Sequence, residues 1–262
     1  MNLEKREFIK IHQETFGKTG CRRIVPGEYI ACDPKGRAIM IGALEKQKNV
    51  YIINRDNENK MTISSPLEAH KSHLLTYDIQ SLDVGYENPM FVSLEVDYGD
   101  ADEENASVNT GVFQKFLVFY EMDLGLNHVV RKNLEEVDNS AHLLIPLPGT
   151  PDGPGGVIVC CENFLVYKKP GHEDRVTPYP KRFEQNDSKG LMIIAFTVHK
   201  RKENVYYLLQ TELGDVYKLT LHATGEDVHG VQLQYFDTSA PCNSICLLLS
   251  GYLFMASETS NQ

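Results

Sequence analysis

The chain lacks tryptophan and carries little positive charge relative to negative charge. Its 262 residues include 26 Lys and Arg against 36 Asp and Glu, which gives a formal net charge of −10 with neutral histidines. A protein that makes broad contact with a phosphate backbone needs clustered Lys and Arg. The charge balance therefore argues against extended nucleic-acid contact and suits a soluble protein that binds other proteins.

Long apolar runs are also missing. No run approaches the ~20 residues of a membrane-spanning helix. The first ten residues, MNLEKREFIK, have no apolar core of the kind found in signal peptides. We therefore expect a soluble intracellular protein. No stretch shows a sustained apolar period of 3.6 residues, so we expect little helix.

The cysteines form no Cys-x-x-Cys pair. They are Cys21, Cys32, Cys160, Cys161, Cys242 and Cys246. Several lie in apolar, strand-like runs, where free thiols are often buried, so we expect reduced thiols rather than disulfides. Cys160 and Cys161 are adjacent, and in a strand they point to opposite sides of the sheet, which argues against a shared site.

Three short strands near the start organise the chain. Residues 27–32 and 37–43 are apolar strands joined by Asp-Pro-Lys-Gly at 33–36, a strong turn sequence. After a charged loop, 49–54 forms the third strand. Three consecutive antiparallel strands with short turns make most of one β-propeller blade.

The same pattern recurs along the rest of the chain. Further strands are predicted at 60–64, 74–79, 91–96, 116–122, 127–132, 142–147, 157–161, 164–168, 191–198, 205–211, 216–221, 231–236, 244–249 and 252–256. Leu82, Val84 and Tyr86 also alternate in strand fashion. Comparable hairpin turns fall near 162, 213 and 250, a spacing compatible with blades of ~40–50 residues. The sequence therefore predicts an all-β fold, a partial β-propeller of several four-stranded antiparallel blades.

The composition of the sequence predicts a short lead-in followed by one propeller region. Residues 1–20 are a polar lead-in, and 21–262 form the incomplete propeller. Within it, the acidic stretch 97–111 has almost no large apolar side chains, which predicts a mobile loop. The polar, proline-bearing stretch 169–190 predicts a second long loop. In the strand 37–43, Ile39 and Ile41 share one face. We expect both to pack in the core if the strand is central; the alternative is that both point outward.

No constellation of residues predicts catalysis. The Gly-rich segment 149–156 is followed by a predicted strand and no Lys, so it is a surface loop rather than a phosphate-binding loop. His70 and His73 have no evident third ligand for a metal. We therefore predict a non-enzymatic protein without cofactor, and no catalytic, cofactor-binding or metal-binding residue. Partner-binding residues are not assigned, because the short basic clusters are typical of solvated turns: Arg22-Arg23, Lys181-Arg182 and 199–202.

Several segments contain long and specific sequence motifs. They are CRRIVPG at 21–27, ISSPLEAHK at 63–71, VGYENPMF at 84–91, DLGLNHVVRK at 123–132 and QTELGDVYKLTL at 210–221. In this order, and over nearly the whole chain from about Lys10, the sequence closely resembles the N-terminal propeller region of the splicing factor 3b subunit 3 family. The wider family includes the large subunit of the cleavage and polyadenylation specificity factor and the damaged-DNA-binding adaptor of cullin ligases. ISSPLEAHK and DLGLNHVVRK point to the splicing branch, and the departures fall in 97–111, in 169–190 and around Cys242 and Cys246.

The resemblance implies part of one seven-bladed, WD40-like propeller from a longer chain that holds three. It implies a nuclear, non-catalytic scaffold subunit of the splicing factor 3b complex in the U2 small nuclear ribonucleoprotein, supporting engagement of the pre-mRNA branch site. The implied partners are the other subunits of that complex, notably the HEAT-repeat subunit. The resemblance implies that the complex, and not this chain directly, contacts pre-mRNA and U2 snRNA. It implies no association with a membrane. The alternative is an adaptor of the wider family, acting in mRNA 3′-end processing or in a cullin ligase.

Overall fold

The structure is a computed structural model that describes residues 6–8, 10, 29–42, 48–57, 60–99, 113–182, 189–201 and 204–260. Its regular structure consists of antiparallel strands arranged in successive sheets, so the predicted all-β propeller fold is confirmed. No helix in the described part of the chain is long and apolar enough to cross a membrane.

Each sheet is built from strands that are consecutive in the sequence. The first sheet contains β1 (Tyr29–Cys32), β2 (Ala38–Gly42), β3 (Lys48–Arg55), β4 (Met61–Ile63) and β5 (Leu67–Glu68), and β5 pairs with β3. The second contains β6 (Leu74–Leu82), β7 (Met90–Asp97), β8 (Lys115–Asp123) and β9 (His128–Val137). The third contains β10 (Leu143–Pro146), β11 (Val157–Cys160), β12 (Phe164–Lys168) and β13 (Arg175–Pro178).

The remaining strands continue this order. The fourth sheet contains β14 (Ile193–Arg201), β15 (Asn204–Thr211), β16 (Asp215–Thr224) and β17 (Asp227–Thr238). A two-stranded fifth sheet pairs β18 (Ser244–Leu247) with β19 (Leu253–Ala256). The first strand of each sheet contacts the first strand of the next, from β1 through β6, β10 and β14 to β18. This is the arrangement of blades around a propeller axis, and we call the sheets blades 1 to 5.

The core lies between the blades. One cluster of buried apolar side chains fills each of the four interfaces from blade 1 to blade 5. Cys160 belongs to the cluster between blades 3 and 4, and Cys161 to the cluster between blades 2 and 3. The two thiols therefore face opposite sides of blade 3, as alternation predicted. All described cysteines are free, with Cys32 and Cys246 exposed, and Cys21 lies outside the described residues.

Several sequence-based expectations need correction. In β2 the fully buried side chains are Ala38 and Met40, while Ile39 and Ile41 are only half-buried on the other face. The interval 169–190 is not one loop, because β13 lies within it and completes blade 3 by pairing with β12. The strand β9 extends to Val137, beyond its predicted end at 132.

Other expectations lie mostly outside the described residues. They concern most of the lead-in 1–20, the first residues of the propeller up to 28, and residues 100–111 of the acidic stretch. Their predicted properties stay predictions.

Polar side chains add specific links between blades. Asp78, on β6 of blade 2, accepts a hydrogen bond at Oδ2 from the backbone N–H of Leu144 in blade 3 (2.8 Å). Burial raises the pKa of this carboxyl. Gln210, on β15, accepts at Oε1 from the backbone N–H of Cys242 (2.9 Å) and donates from Nε2 to Ser239 Oγ (2.9 Å). It thereby ties blade 4 to the linker that leads into blade 5.

The topology places each described loop between these strands on one of two faces. Since successive strands are antiparallel, the loops between first and second strands and between third and fourth strands of a blade reach the same side. We call this side the A–B face. Its described loops are 33–37, 83–89, 124–127, 147–156, 169–174, 225–226 and 248–252. The loops 69–73, 138–142, 161–163, 212–214 and 239–243 lie on the opposite face.

Candidate interaction face

The most exposed large apolar side chains of the described chain, Phe8 apart, stand at loop tips of the A–B face. Tyr86 is 90% exposed, Leu126 78%, Leu249 84% and Tyr252 74%. Scattered exposed apolar residues are normal on a protein surface, so we look for a contact surface where one of them borders a cleft. Tyrosine in particular is enriched among the residues that dominate protein–protein binding energy.

A cleft of about 690 Å³ opens on the same face between blades 2, 3 and 4. Its walls are the β6–β7 loop, the β10–β11 loop, the start of the β12–β13 loop and the tip of the β16–β17 hairpin. We call it the loop cleft. Its apolar lining includes Leu82, Val84 and Met90, and its rim carries carboxylates.

The β6–β7 loop is held in place by local hydrogen bonds. Gly85 has a positive φ of 64°, and its N–H donates to Asp83 Oδ1 (3.3 Å). Asn88 donates from Nδ2 to Glu121 Oε1 (2.8 Å) and accepts at Oδ1 from the Leu124 N–H (3.3 Å). The loop therefore presents its tip residue from a fixed support.

Blade 1 supports the same loop from the other side. The Arg37 guanidinium, bound to the Asp33 carboxylate, also donates to the backbone carbonyl of Glu87. The Lys35 ammonium lies 5.0 Å from the centre of the Tyr86 ring, a cation–π geometry. The β1–β2 turn thus positions Tyr86.

The Gly-rich β10–β11 loop forms the second wall because it approaches other backbone closely. A Cβ atom at Gly149 would lie 2.1 Å from the Asp83 carbonyl oxygen. A Cβ atom at Gly156, where φ is +88°, would lie 2.8 Å from the Lys168 carbonyl oxygen. Glycine is needed at both positions. The strand β11 follows the loop directly, in agreement with our interpretation of it as a surface loop without a phosphate-binding helix.

The wall formed by the β16–β17 hairpin comes from blade 4. The tip of the β16–β17 hairpin places Glu226 Oε2 2.6 Å from Lys169 Nζ. Lys169 also donates to the Pro154 carbonyl oxygen (2.9 Å). The hydrogen bond from Lys169 lowers the pKa of Glu226. The lysine of the cleft is therefore already neutralised, and the carboxylates of Asp83 and Glu87 leave the cleft acidic.

A second cleft of about 350 Å³ continues the first beneath the hairpin. The two share Thr150 and Pro154 in their lining. The second is lined by further prolines and by Val205 and Leu221, and Lys200 pairs with Asp152 at its edge (2.7 Å). Together the two clefts make a groove that runs from blade 2 to blade 4.

Of the histidines and basic clusters that stand out in the sequence, the cluster 199–202 reaches this groove through the ion pair of Lys200 with Asp152. His70 and His73 are exposed in the linker from blade 1 to blade 2, on the opposite face. Arg182 is paired with Asp215 on that face (Nε to Oδ2, 2.6 Å), while Arg22 and Arg23 lie outside the described residues. Within the described segments, no group of three or more His, Cys, Asp or Glu side chains is placed to hold a metal ion.

Sequence reasoning missed the residues that mark the groove. Tyr86 was expected in a strand, but β6 ends at Leu82 and Tyr86 lies on the following loop. The usable signals were Gly85, which favours a left-handed turn, and Asn88-Pro89, which ends a strand. The link between Lys169 and Glu226 spans 57 residues and had no local signal.

Comparison with known proteins agrees with this geometry. A family model described as the RSE1/DDB1/CPSF1 first beta-propeller matches residues 1–262. The chain belongs to this family.

Three relatives show which branch of the RSE1/DDB1/CPSF1 family the chain resembles. It is 52% identical over 260 residues to spliceosome-associated protein 130 A of Arabidopsis thaliana, covering 99% of this chain and 21% of that protein. It is 50% identical over 263 residues to splicing factor 3B subunit 3 of Drosophila melanogaster, covering 99% and 21%. It is 46% identical over 264 residues to pre-mRNA-splicing factor RSE1 of Mycosarcoma maydis, covering 97% and 22%. The chain thus spans about a fifth of the length of these relatives.

Proposed function

We propose that the chain is a non-catalytic scaffold segment of a splicing complex. The observation that carries the proposal is the identity of 46–52% to relatives named as splicing factors, over nearly the whole chain. The fold fits this role, because a rigid β framework that carries loops of fixed position is how propellers present binding surfaces.

The finer part of the proposal follows the splicing branch of the family. The chain acts in the nucleus, as part of a splicing factor 3b complex in the U2 small nuclear ribonucleoprotein, and supports engagement of the pre-mRNA branch site. Its direct partners are proteins, including the HEAT-repeat subunit of that complex. The net charge of −10 supports protein contacts over direct RNA contact.

Affinity purification tests the proposal. A tagged chain, expressed in the source organism, is expected to recover protein subunits of the U2 particle, together with U2 snRNA that ribonuclease treatment removes without releasing those proteins. Recovery only with a cullin ligase or with the polyadenylation machinery would assign the chain to another role in the wider family.

A further inference from the structure

The lining of the loop cleft carries three carboxylates, Asp83, Glu87 and Glu226, and one lysine, Lys169. Among the described residues, Asp83 and Glu87 form no ion pair; Arg37 is bound by Asp33 and also attracts the Asp83 carboxylate electrostatically. At the blade 4 wall, Glu226 is already paired with Lys169. A ligand that brings positive charge meets this excess of carboxylates favourably, whereas a phosphate-bearing ligand meets repulsion.

The floor of the cleft is apolar. Leu82, Val84 and Met90 line it on the side of blade 2, and Pro154 and Pro170 on the side of blade 3. A ligand that fits therefore combines charged and apolar groups. An extended peptide that alternates the two kinds of side chain presents charged groups on one side and apolar groups on the other, because successive side chains point to opposite sides.

Tyr86 supplies a further contact for a cation. Lys35 already lies over its ring at 5.0 Å, and the side chain is otherwise open to solvent. Arginine stacks on tyrosine rings and pairs with carboxylates in the same conformation. The groove continues from the loop cleft into the second cleft, which suits an extended ligand rather than a compact one.

We infer that the loop cleft binds an extended segment of a protein partner in which arginine alternates with apolar side chains. The arginines pair with Asp83 and Glu87 and stack on Tyr86, and the apolar side chains enter the cleft. This inference rests on the proposed scaffold function and names the chemistry of one partner contact.

Fluorescence anisotropy with a defined probe tests the inference. The probe is a fluorescein-labelled peptide of about eight residues that alternates arginine and leucine. It is expected to bind the 262-residue chain, and more weakly as salt is raised. The double variant Asp83→Asn/Glu87→Gln, which keeps shape and the turn at Gly85 while removing both charges, is expected to bind about tenfold more weakly. Tyr86→Ala is expected to weaken binding as well.

The matched control removes two exposed carboxylates from the opposite face. Glu68→Gln/Glu212→Gln changes the net charge equally and is expected to alter the dissociation constant by less than about twofold. Far-UV circular dichroism and a thermal melt of each variant confirm that its fold is intact.

Three results would overturn the inference: equal loss of binding in both double variants, equal binding of a peptide with glutamate in place of arginine, or tighter binding of a single-stranded RNA oligonucleotide at the same groove. The affinity purification described above distinguishes a failure of this inference from a failure of the proposed function. If splicing proteins are recovered but the probe does not bind, the inference alone is wrong. If the probe binds and no splicing protein is recovered, the proposed function is wrong.

Discussion

Lys48 on β3 and Glu95 on β7 form an ion pair in the buried interface between blades 1 and 2. Glu95 also accepts hydrogen bonds from Ser93 Oγ and from the Tyr120 hydroxyl (2.8 Å), and Arg131 lies 3.5 Å from its second oxygen. Burial lowers the pKa of Lys48, and the charge of Glu95 opposes that shift. The pair is thus the centre of a small polar network inside the mainly apolar interface between blades 1 and 2.

Removing one partner of this pair is expected to be costly. Lys48→Met leaves the Glu95 charge buried with fewer partners, and we expect it to lower the free energy of unfolding by about 3–5 kcal/mol. Lys48→Met/Glu95→Gln removes both charges and is expected to cost less than the sum of the single variants. Urea unfolding of Lys48→Met, Glu95→Gln and the double variant measures the three effects. Additive effects would show that the two side chains act independently.

Strand β2 offers a matched pair of substitutions. Met40 is fully buried against blade 2, so Met40→Ala is expected to destabilise by about 2–5 kcal/mol. Ile41, its neighbour on the other face, is half-buried, and Ile41→Ala is expected to cost less. A larger loss at Ile41 in the same urea experiment would reverse the assignment of the two faces.

The pair of Arg182 and Asp215 predicts a pH dependence. Hydrogen bonding to Arg182 lowers the pKa of Asp215 in the folded protein. The stabilisation is therefore present above the unfolded-state pKa, near 4, and is lost as the pH falls through the lower folded-state value. Asp215→Asn is expected to be less stable than the parent chain at pH 7, and the difference is expected to shrink below about pH 4.

Thermal melts across this pH range measure the difference. Glu212→Gln, in the same turn and exposed, is the control and is expected to show no such convergence. A difference for Asp215→Asn that stays constant down to low pH would mean that the charge of Asp215 does not contribute to stability.

The cysteines predict a pattern of thiol reactivity. In a Cys21→Ser background, Cys32 and Cys246 are exposed and are expected to react quickly with a disulfide reagent. Cys160, Cys161 and Cys242 are buried, and burial raises the pKa of Cys160 and of Cys161 to about 12. Because the thiolate is the reactive form, these three are expected to react only after unfolding in urea. Fast labelling of Cys160 or Cys161, located by mass spectrometry, would contradict the packing of blade 3.

The strands could be predicted from sequence because their signals are local. Alternation, apolar runs and the turn at 33–36 indicated the strands of all four complete blades except β5 and β13. Those two are short and polar, and they pair only because a partner strand is already in place. Blade 2 determines which face of β2 is buried, and the sequence of β2 alone carries no information about that contact. The groove could not be predicted from the sequence for the same reason, because Asp83, Gly149 and Glu226 come together only when blades 2, 3 and 4 pack against one another.

The close approach of Gly149 to Asp83, and of Glu226 to Lys169, means that no single sheet contains the groove. A molecule in which blades 2, 3 and 4 have separated no longer contains the binding groove. Any ligand of the groove therefore binds the native state and not the unfolded one, and the two equilibria are linked. At a free ligand concentration of about 100 times the dissociation constant, this linkage raises the free energy of unfolding by about 2.7 kcal/mol. Occupancy of the groove by a partner would thus also hold the propeller together.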